Sequence, residues 1–212
     1  MFRDRVDAGR RLGAVLADLR LGDPVVLGIP RGGVIVAAGV ARALRSPLDV
    51  LVIRKIGSPH NAELAIGALA PGVRVWDRDL LDRFHVDPDY LKETVASEEA
   101  EIARRTAIYR RGRPPLEVSG RTVVIVDDGL ATGSTALAAV RWCRSAGAGH
   151  VMLAVPVAAP STLAILAGEA DQARAIDTPP SFHAVGEWYQ DFTQTTDAEV
   201  VAALDRSREG DG

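Results

Sequence analysis

Apolar residues recur along this chain at two periods, and the elements they predict alternate. From Val6 to Leu19 the spacing is helical, with Arg3, Arg5, Arg10 and Arg11 on other faces; Gly22-Asp23-Pro24 ends the segment. Val25 to Ile29 is a short apolar run that predicts a first strand, followed by a tight loop, Pro30-Arg31-Gly32-Gly33. Val34 to Leu44, rich in Ala and Val, predicts a buried helix, and Leu48 to Ile53 a second strand ending in Arg54-Lys55. Leu64 to Leu69 and Val73 to Trp76 flank Ala70-Pro71-Gly72 as a hairpin. Pro88 to Arg111 sets Leu91, Val95, Ile102 and Ile108 among acids and arginines and predicts an exposed amphipathic helix, closed by the breakers Gly112 to Pro115. Val123 to Val126 predicts a strand, Ser134 to Ala146 a helix ended by Gly147, and Val151 to Val155 another strand. Ser161 to Leu166 predicts a helix with Ser161 as its cap. From Ala175 onward the pattern turns irregular and aromatic, and Arg206 to Gly212 reads as a frayed end.

Strands alternating with helices predict an α/β fold: an open, mainly parallel twisted sheet with helices on both faces. Ligands in such sheets bind outside the carboxyl ends of the strands, at the switch point. With the segment of about 57–115 as an insertion, the strand at Val123–Val126 becomes the third core strand. In a flavodoxin-like order 2-1-3-4-5 it lies beside the first, so the loops after these two strands face each other across one crevice. The whole chain, 1–212, reads as a single domain.

Composition narrows the classes. Hydrophobic residues are 47 % of 212, enough for a core without disulfides, and a net charge of −3 gives no basic footprint for nucleic acid. Cys143, the single cysteine, sits beside Trp142 and Val140 and reads as a buried helix position. Met1 to Arg11 is charged and has neither signal-peptide nor membrane-span character; the longest apolar stretch, Val151 to Pro160, is broken by Pro156. The expectation is a soluble cytoplasmic protein without membrane or nucleic-acid partners. None of the four histidines (60, 85, 150 and 183) pairs with another at metal-ligand spacing, which speaks against zinc.

The chemistry concentrates in Val123 to Thr135. After the strand come two carboxylates, Asp127 and Asp128, and then small residues: Gly129, Leu130, Ala131, Thr132, Gly133, Ser134 and Thr135. Such a loop opening a helix can aim backbone N–H groups and hydroxyls at an anion. A helix cap from Thr132 or Ser134 would explain the hydroxyls but not the acids. No Walker lysine follows Gly133, and no GxGxxG follows the first strand. Asp127 and Asp128 suit Mg²⁺, which takes one or two carboxylates plus substrate oxygens, and equally suit ribose hydroxyls. Successive side chains at a strand end point to opposite faces, so the pair need not converge on one ligand atom. Arg31, Gly32 and Gly33 offer a cation and open backbone donors for a second anion, and Arg54-Lys55 add two cations; a plain turn and solvated charges are the competing readings.

The segment Val123 to Thr135 resembles the phosphoribosyl-pyrophosphate (PRPP) motif of type I phosphoribosyltransferases: an apolar run, two acids, variable residues, then Thr-Gly with small residues after it. Pro30-Arg31-Gly32-Gly33 sits where that family has its pyrophosphate loop. The irregular carboxyl-terminal segment, about 175–205, sits where the family carries a base-binding hood. Ile53-Arg54-Lys55-Ile56-Gly57 and Ala184-Val185-Gly186-Glu187-Trp188-Tyr189 look like segments of a less characterised branch.

The resemblance implies a Mg²⁺-dependent transfer of phosphoribosyl from PRPP to a nitrogen base. Asp127 and Asp128 would contact the ribose hydroxyls directly or through Mg²⁺, and Gly129 with Ala131 to Thr135 would hold the 5-phosphate. Arg31, Gly32 and Gly33, with Arg54 and Lys55, would hold the pyrophosphate. The 6-oxopurine enzymes place an acid just before the Thr-Gly, where this chain has Ala131, so hypoxanthine and guanine are disfavoured as acceptors. Phe182, Trp188 and Tyr189 either stack on the base or anchor the tail to the core. Glu98, Arg104, Arg105 and Tyr109 belong either to a flap or to a solvated helix with i,i+4 ion pairs. Relatives are commonly dimers, so a homodimer is expected. Two other readings stand beside transfer: a non-enzymatic PRPP- or nucleotide-binding regulator on the same fold, and a phosphatase using Asp127. The second lacks the Asp-x-Asp that such enzymes carry after the first strand.

Overall fold

The computed structural model describes residues 1–209, the side chains at 62, 63, 208 and 209 excepted. Five parallel strands form the main sheet: β1 (Val25–Gly28), β2 (Leu48–Val50), β6 (Thr122–Val126), β7 (His150–Val157) and β8 (Gln172–Asp177). Their order is β2-β1-β6-β7-β8, with every pairing parallel. In terms of the five core strands this is 2-1-3-4-5, as the alternation predicts.

Period-two alternation divides these strands between two cores. Val26, Val124 and Met152 face α1 (Arg5–Ala17), α2 (Gly32–Leu44) and α7 (Asp197–Glu209). Val25, Leu27, Ile125 and Leu153 face α5 (Ser134–Ser145) and α6 (Pro160–Ala167). Helices therefore cover both faces. The α1–α2 contact is so close that a Cβ on Gly13 would stand 2.9 Å from the Gly39 carbonyl oxygen. A second sheet, β3-β4-β5, is antiparallel and built from β3 (Arg54–Ser58), β4 (Asn61–Ala70) and β5 (Val73–Trp76). A short helix, α3 (Arg78–Arg83), and the long α4 (Pro88–Arg110) follow it. Val95, Ile102 and Tyr109, seven residues apart, form the buried stripe of α4. Arg110 at its end pairs with the buried Asp49 of β2 at 3.0 Å, and Asp49 also accepts the Leu116 N–H at 3.1 Å.

Several expectations need correction. The second strand stops at Val50; Leu51 to Ile53 are a buried connection between the sheets, and Arg54 opens β3 by pairing with Leu69. A buried connector and a buried strand carry the same apolar signature. The hairpin is thus part of a three-stranded sheet. Helix α4 buries Tyr109 and leaves Ile108 exposed. Ser161 is not a cap: Ala159 is, without a side-chain bond, and Pro160 starts α6. The tail is more regular than its pattern suggests. Strand β8 runs through Asp177 as a half-buried edge, and 206–209 belong to α7. The rest of the expected frayed end, 210–212, lies outside the described residues.

Candidate active site

Strands β1 and β6 are paired in register, Val25 on Val123 through Gly28 on Val126, so their following loops leave the same sheet edge together. Between these loops lies a cleft of about 360 Å³. Arg31, Gly32, Arg54, Lys55, Asp127, Asp128 and Thr135 all line it. The cleft thus gathers both acids, most of the expected pyrophosphate contacts and Thr135 of the expected phosphate loop; Gly33, Gly129 and the residues from Ala131 to Ser134 do not line it.

The amino end of α2 reaches the acids because two residues there lack side chains. A Cβ on Gly33 would stand 2.8 Å from the Asp127 Cα and 2.9 Å from the Val126 carbonyl oxygen. A Cβ on Gly32 would overlap the Asp128 carboxylate and the Arg5 guanidinium. The preceding Pro30–Arg31 peptide is cis.

The two acids differ in surroundings. Asp127 accepts the Asp128 N–H through Oδ1 at 2.8 Å. Desolvation first, and the neighbouring Asp128 charge second, hold its carboxyl well above the usual range, while Lys55 and Arg5 pull the other way. Asp128 is gripped from outside the motif. Its Oδ2 accepts Arg5 Nε at 2.8 Å, and its carbonyl accepts the Tyr189 hydroxyl at 2.7 Å. The helical spacing places Arg5 only off the apolar face of the first helix, and the two partners stand 123 positions apart. No local pattern marks such a pair.

The small-residue loop is pinned at several points. Leu130 N–H donates to the Val157 carbonyl and Ala159 N–H to the Leu130 carbonyl, both at 2.9 Å, extending β7 by one bridge. Thr162 Oγ1 donates to the Ala131 carbonyl at 2.6 Å. Gly129 lies against Val185 and Val157. Gly133, at φ +78°, is the residue before α5, and no side chain caps that helix. The competing reading of Thr132 or Ser134 as the helix cap therefore does not hold. The Ser134 hydroxyl is buried and has no partner among the described residues. Leu137 N–H closes onto the Gly133 carbonyl at 2.9 Å, and the N–H groups of Ser134, Thr135 and Ala136 before it have no intrahelical acceptor.

The cations divide. Arg54 is engaged by Glu98 of α4, Nε to Oε2 at 2.5 Å and NH2 to Oε1 at 3.3 Å. Arg31 and Lys55 make no ion pair among the described residues. The other α4 charges read as flap candidates are paired within the helix: Glu101 with Arg104 and Arg105, both at 2.6 Å. Tyr109 is buried and donates to Asp197 at 2.6 Å.

Of the aromatic trio, Tyr189 is not a stacking surface. It is 6 % exposed, with ring centroids 5.4 Å from Phe2 and 4.9 Å from Phe192. Trp188 and Phe182 are half-buried against the same core. Cys143 is buried, and burial pushes its thiol up to about 12.

Among the described residues no three His, Cys, Asp or Glu side chains are grouped to hold a metal. Two hard carboxylates at one cleft fit a Mg²⁺ that completes its shell with substrate oxygens and water. No helix of the described residues is long and apolar enough to cross a membrane.

The cleft lies within a span that matches a known family. The family model for the phosphoribosyl transferase domain matches residues 6–164, from α1 to the start of α6, and so covers both loops and both acids. The chain belongs to this family. Curated relatives of the phosphoribosyl transferase domain include a Mycobacterium tuberculosis protein, found in two strains and provisionally named a phosphoribosyl transferase. It is 49 % identical over 208 residues, which are 98 % of this chain and 47 % of the relative. The chain thus spans about half the length of the curated relatives it matches. A solved Thermus thermophilus protein is 44 % identical and superposes with a TM-score of 0.82 over 96 % of this chain and 97 % of its own. A solved Aquifex aeolicus protein, 14 % identical, shares the fold alone, with a TM-score of 0.51 over 95 % and 86 % of the two chains.

Proposed function

We propose that this phosphoribosyl transferase domain binds PRPP with Mg²⁺ and transfers the phosphoribosyl group to a nitrogenous acceptor, releasing pyrophosphate. The observation that carries the reading is the convergence of the Arg31–Gly33 loop, the Asp127–Asp128 pair and the amino end of α5 on one cleft. A single phosphate would need only α5. A ligand with phosphate at one end, vicinal hydroxyls in the middle and pyrophosphate at the other uses all three.

The 5-phosphate sits at the amino end of α5, against its open N–H groups and Thr135, the residue of that helix that lines the cleft. Asp127 and Asp128 accept from the ribose hydroxyls and are the residues that hold Mg²⁺. Bound Mg²⁺ supplies positive charge that neutralises the pyrophosphate oxygens. Arg31 and Lys55, which make no ion pair among the described residues, add fixed positive charge where the leaving group develops its own negative charge. The bond from the anomeric carbon to the pyrophosphate oxygen breaks, the bond to the acceptor nitrogen forms, and the acceptor's N–H proton leaves. No nucleophilic side chain is required. Ala131 presents no acid, and its carbonyl is bound by Thr162, which favours acceptors other than 6-oxopurines.

Calorimetry with PRPP and Mg²⁺ tests the reading. The folded protein is expected to bind PRPP, and Asp127→Asn or Asp128→Asn to weaken it. Absence of binding by folded protein overturns the proposal. Pyrophosphate release over a panel of bases then separates two outcomes. Turnover with one class of base names the acceptor. Tight PRPP binding without release from any base marks a PRPP-binding regulator instead.

A further inference from the structure

Asp128 is held by two residues that come from neither loop of the cleft. Arg5 projects from the first turn of α1, and its side chain is 12 % exposed. It is used three ways: Nε donates to Asp128 Oδ2, NH1 donates to the Thr193 carbonyl at 2.8 Å, and the guanidinium lies 3.9 Å from the Phe192 ring centroid. Tyr189 holds the main chain of the same acid through its carbonyl. Phe2 and the segment Trp188–Gln190, which precedes α7, are joined where they do this. Phe2 N–H donates to the Trp188 carbonyl, and Gln190 N–H to the Phe2 carbonyl, both at 2.8 Å. Gly32 closes the arrangement from the third side, since no Cβ fits there beside the Arg5–Asp128 pair. An acid at a strand end has two side-chain torsions to fix. Here one contact fixes its carboxylate and another its backbone.

We propose that Arg5 and Tyr189 are positioning residues, which hold Asp128 in the orientation that meets the ligand without touching the ligand themselves. This rests on the PRPP reading of the cleft. It assigns a function in the site to the joined segments around Phe2 and Tyr189, which lie outside the PRPP motif. Residues that orient a ligating carboxylate have a measurable share in affinity even though they make no contact of their own.

The test is PRPP affinity with Mg²⁺, by calorimetry, for wild type and four single variants, each first shown to be folded by thermal unfolding. Arg5→Ala is expected to bind about tenfold more weakly. Arg5→Lys keeps the charge but cannot hold Asp128 and the Thr193 carbonyl together, so it falls between Arg5→Ala and wild type. Tyr189→Phe removes only the hydroxyl on the Asp128 carbonyl and is expected to weaken binding by about threefold, the effect of one hydrogen bond. Phe192→Leu removes the ring beneath Arg5 but leaves the Arg5–Asp128 pair, and is expected to stay within about twofold of wild type. If Arg5→Ala does not fold, Arg5→Lys and Tyr189→Phe decide by the same expectations. Wild-type affinity in both Arg5→Lys and Tyr189→Phe, or in Arg5→Ala, overturns the positioning role. So does a Phe192→Leu loss as large as that of Arg5→Ala, because Arg5 would then merely fasten the joined segments. Failure of wild type itself to bind PRPP is a different result, and overturns the reading of the cleft.

Discussion

Replacing Gly33 by alanine adds one methyl group where α2 meets the end of β6. The new carbon would stand 2.8 Å from the Asp127 Cα and 2.9 Å from both the Val126 carbonyl oxygen and Asp127 Oδ1. Two of these three atoms are main chain, one in Val126, the last residue of a strand hydrogen-bonded on both sides, and one in Asp127 directly after it, so they cannot rotate away. Nor can α2 shift freely, because it is in backbone contact with α1, at Gly39 against Gly9 and Gly13. Overpacking of this kind costs about 1–3 kcal/mol. Alanine recovers roughly 0.5–1 kcal/mol over glycine in a helix. The net is a destabilisation of about 0–2.5 kcal/mol, centred near 1, or a fall in Tm of roughly 2–4 °C at the centre for a domain of this size. The larger consequence is local: Asp127 must shift, and misplacement of a ligand-facing group costs affinity steeply. Scanning calorimetry and PRPP titration should show both effects together. Gly168→Ala is the control, since its nearest atom is the Ile165 carbonyl oxygen at an ordinary 3.4 Å. A Gly33→Ala protein with wild-type Tm and wild-type affinity would refute the argument that close approach, rather than chain flexibility, requires glycine there.

Other expectations follow from single contacts. Asp49→Ala leaves Arg110 and the Leu116 and Val50 N–H groups without their acceptor, and should cost about 3 kcal/mol in urea unfolding; a loss below 1 kcal/mol would mean water replaces the carboxylate freely. Thr162→Val removes the hydroxyl that donates to Ala131, with an expected cost of about 1 kcal/mol and a few-fold weaker PRPP binding through the loosened loop. Unchanged affinity would show that the loop is held by its strand bridge alone. Glu101, hydrogen-bonded first by Arg104 and then by Arg105, is held down from 4.5 to about 2. A carboxyl lowered by folding contributes stability above its unfolded value and loses it as pH falls through its folded value. Wild type should therefore lose more Tm between pH 4.5 and pH 2 than Glu101→Gln; parallel losses would remove Glu101 from acid unfolding.

Much of the cleft is legible in local pattern. Two acids at the end of an apolar run, small residues opening a helix and a glycine pair after the first strand are all contiguous signals. The alternation of strands and helices is enough to bring them to one switch point. The same locality explains the misreadings. Leu51 to Ile53 are buried like a strand and pattern like one, yet they only connect two sheets. Strand β8 is a half-buried edge, so its Gln-Ala-Arg-Ala alternation is faint, and its course is set by pairing with β7. The nearness of Phe182, Trp188 and Tyr189 in sequence suggested a stacking surface, but whether a ring faces a ligand or a core depends on what packs against it. For Tyr189 that is Phe2, from the far end of the chain.

The sequence by itself determined the α/β sheet order, the acid pair and the two loops that converge on it, because hydrophobic period and loop chemistry are properties of neighbouring residues. Only the tertiary structure decided which charges are spoken for. It joins Arg5 to Asp128 and Arg54 to Glu98, leaves Arg31 and Lys55 without an ion pair among the described residues, and seats Tyr189 beneath the motif. An ion pair forms wherever folding brings two charges within reach, and that distance is fixed by the packing of whole elements rather than by position along the chain.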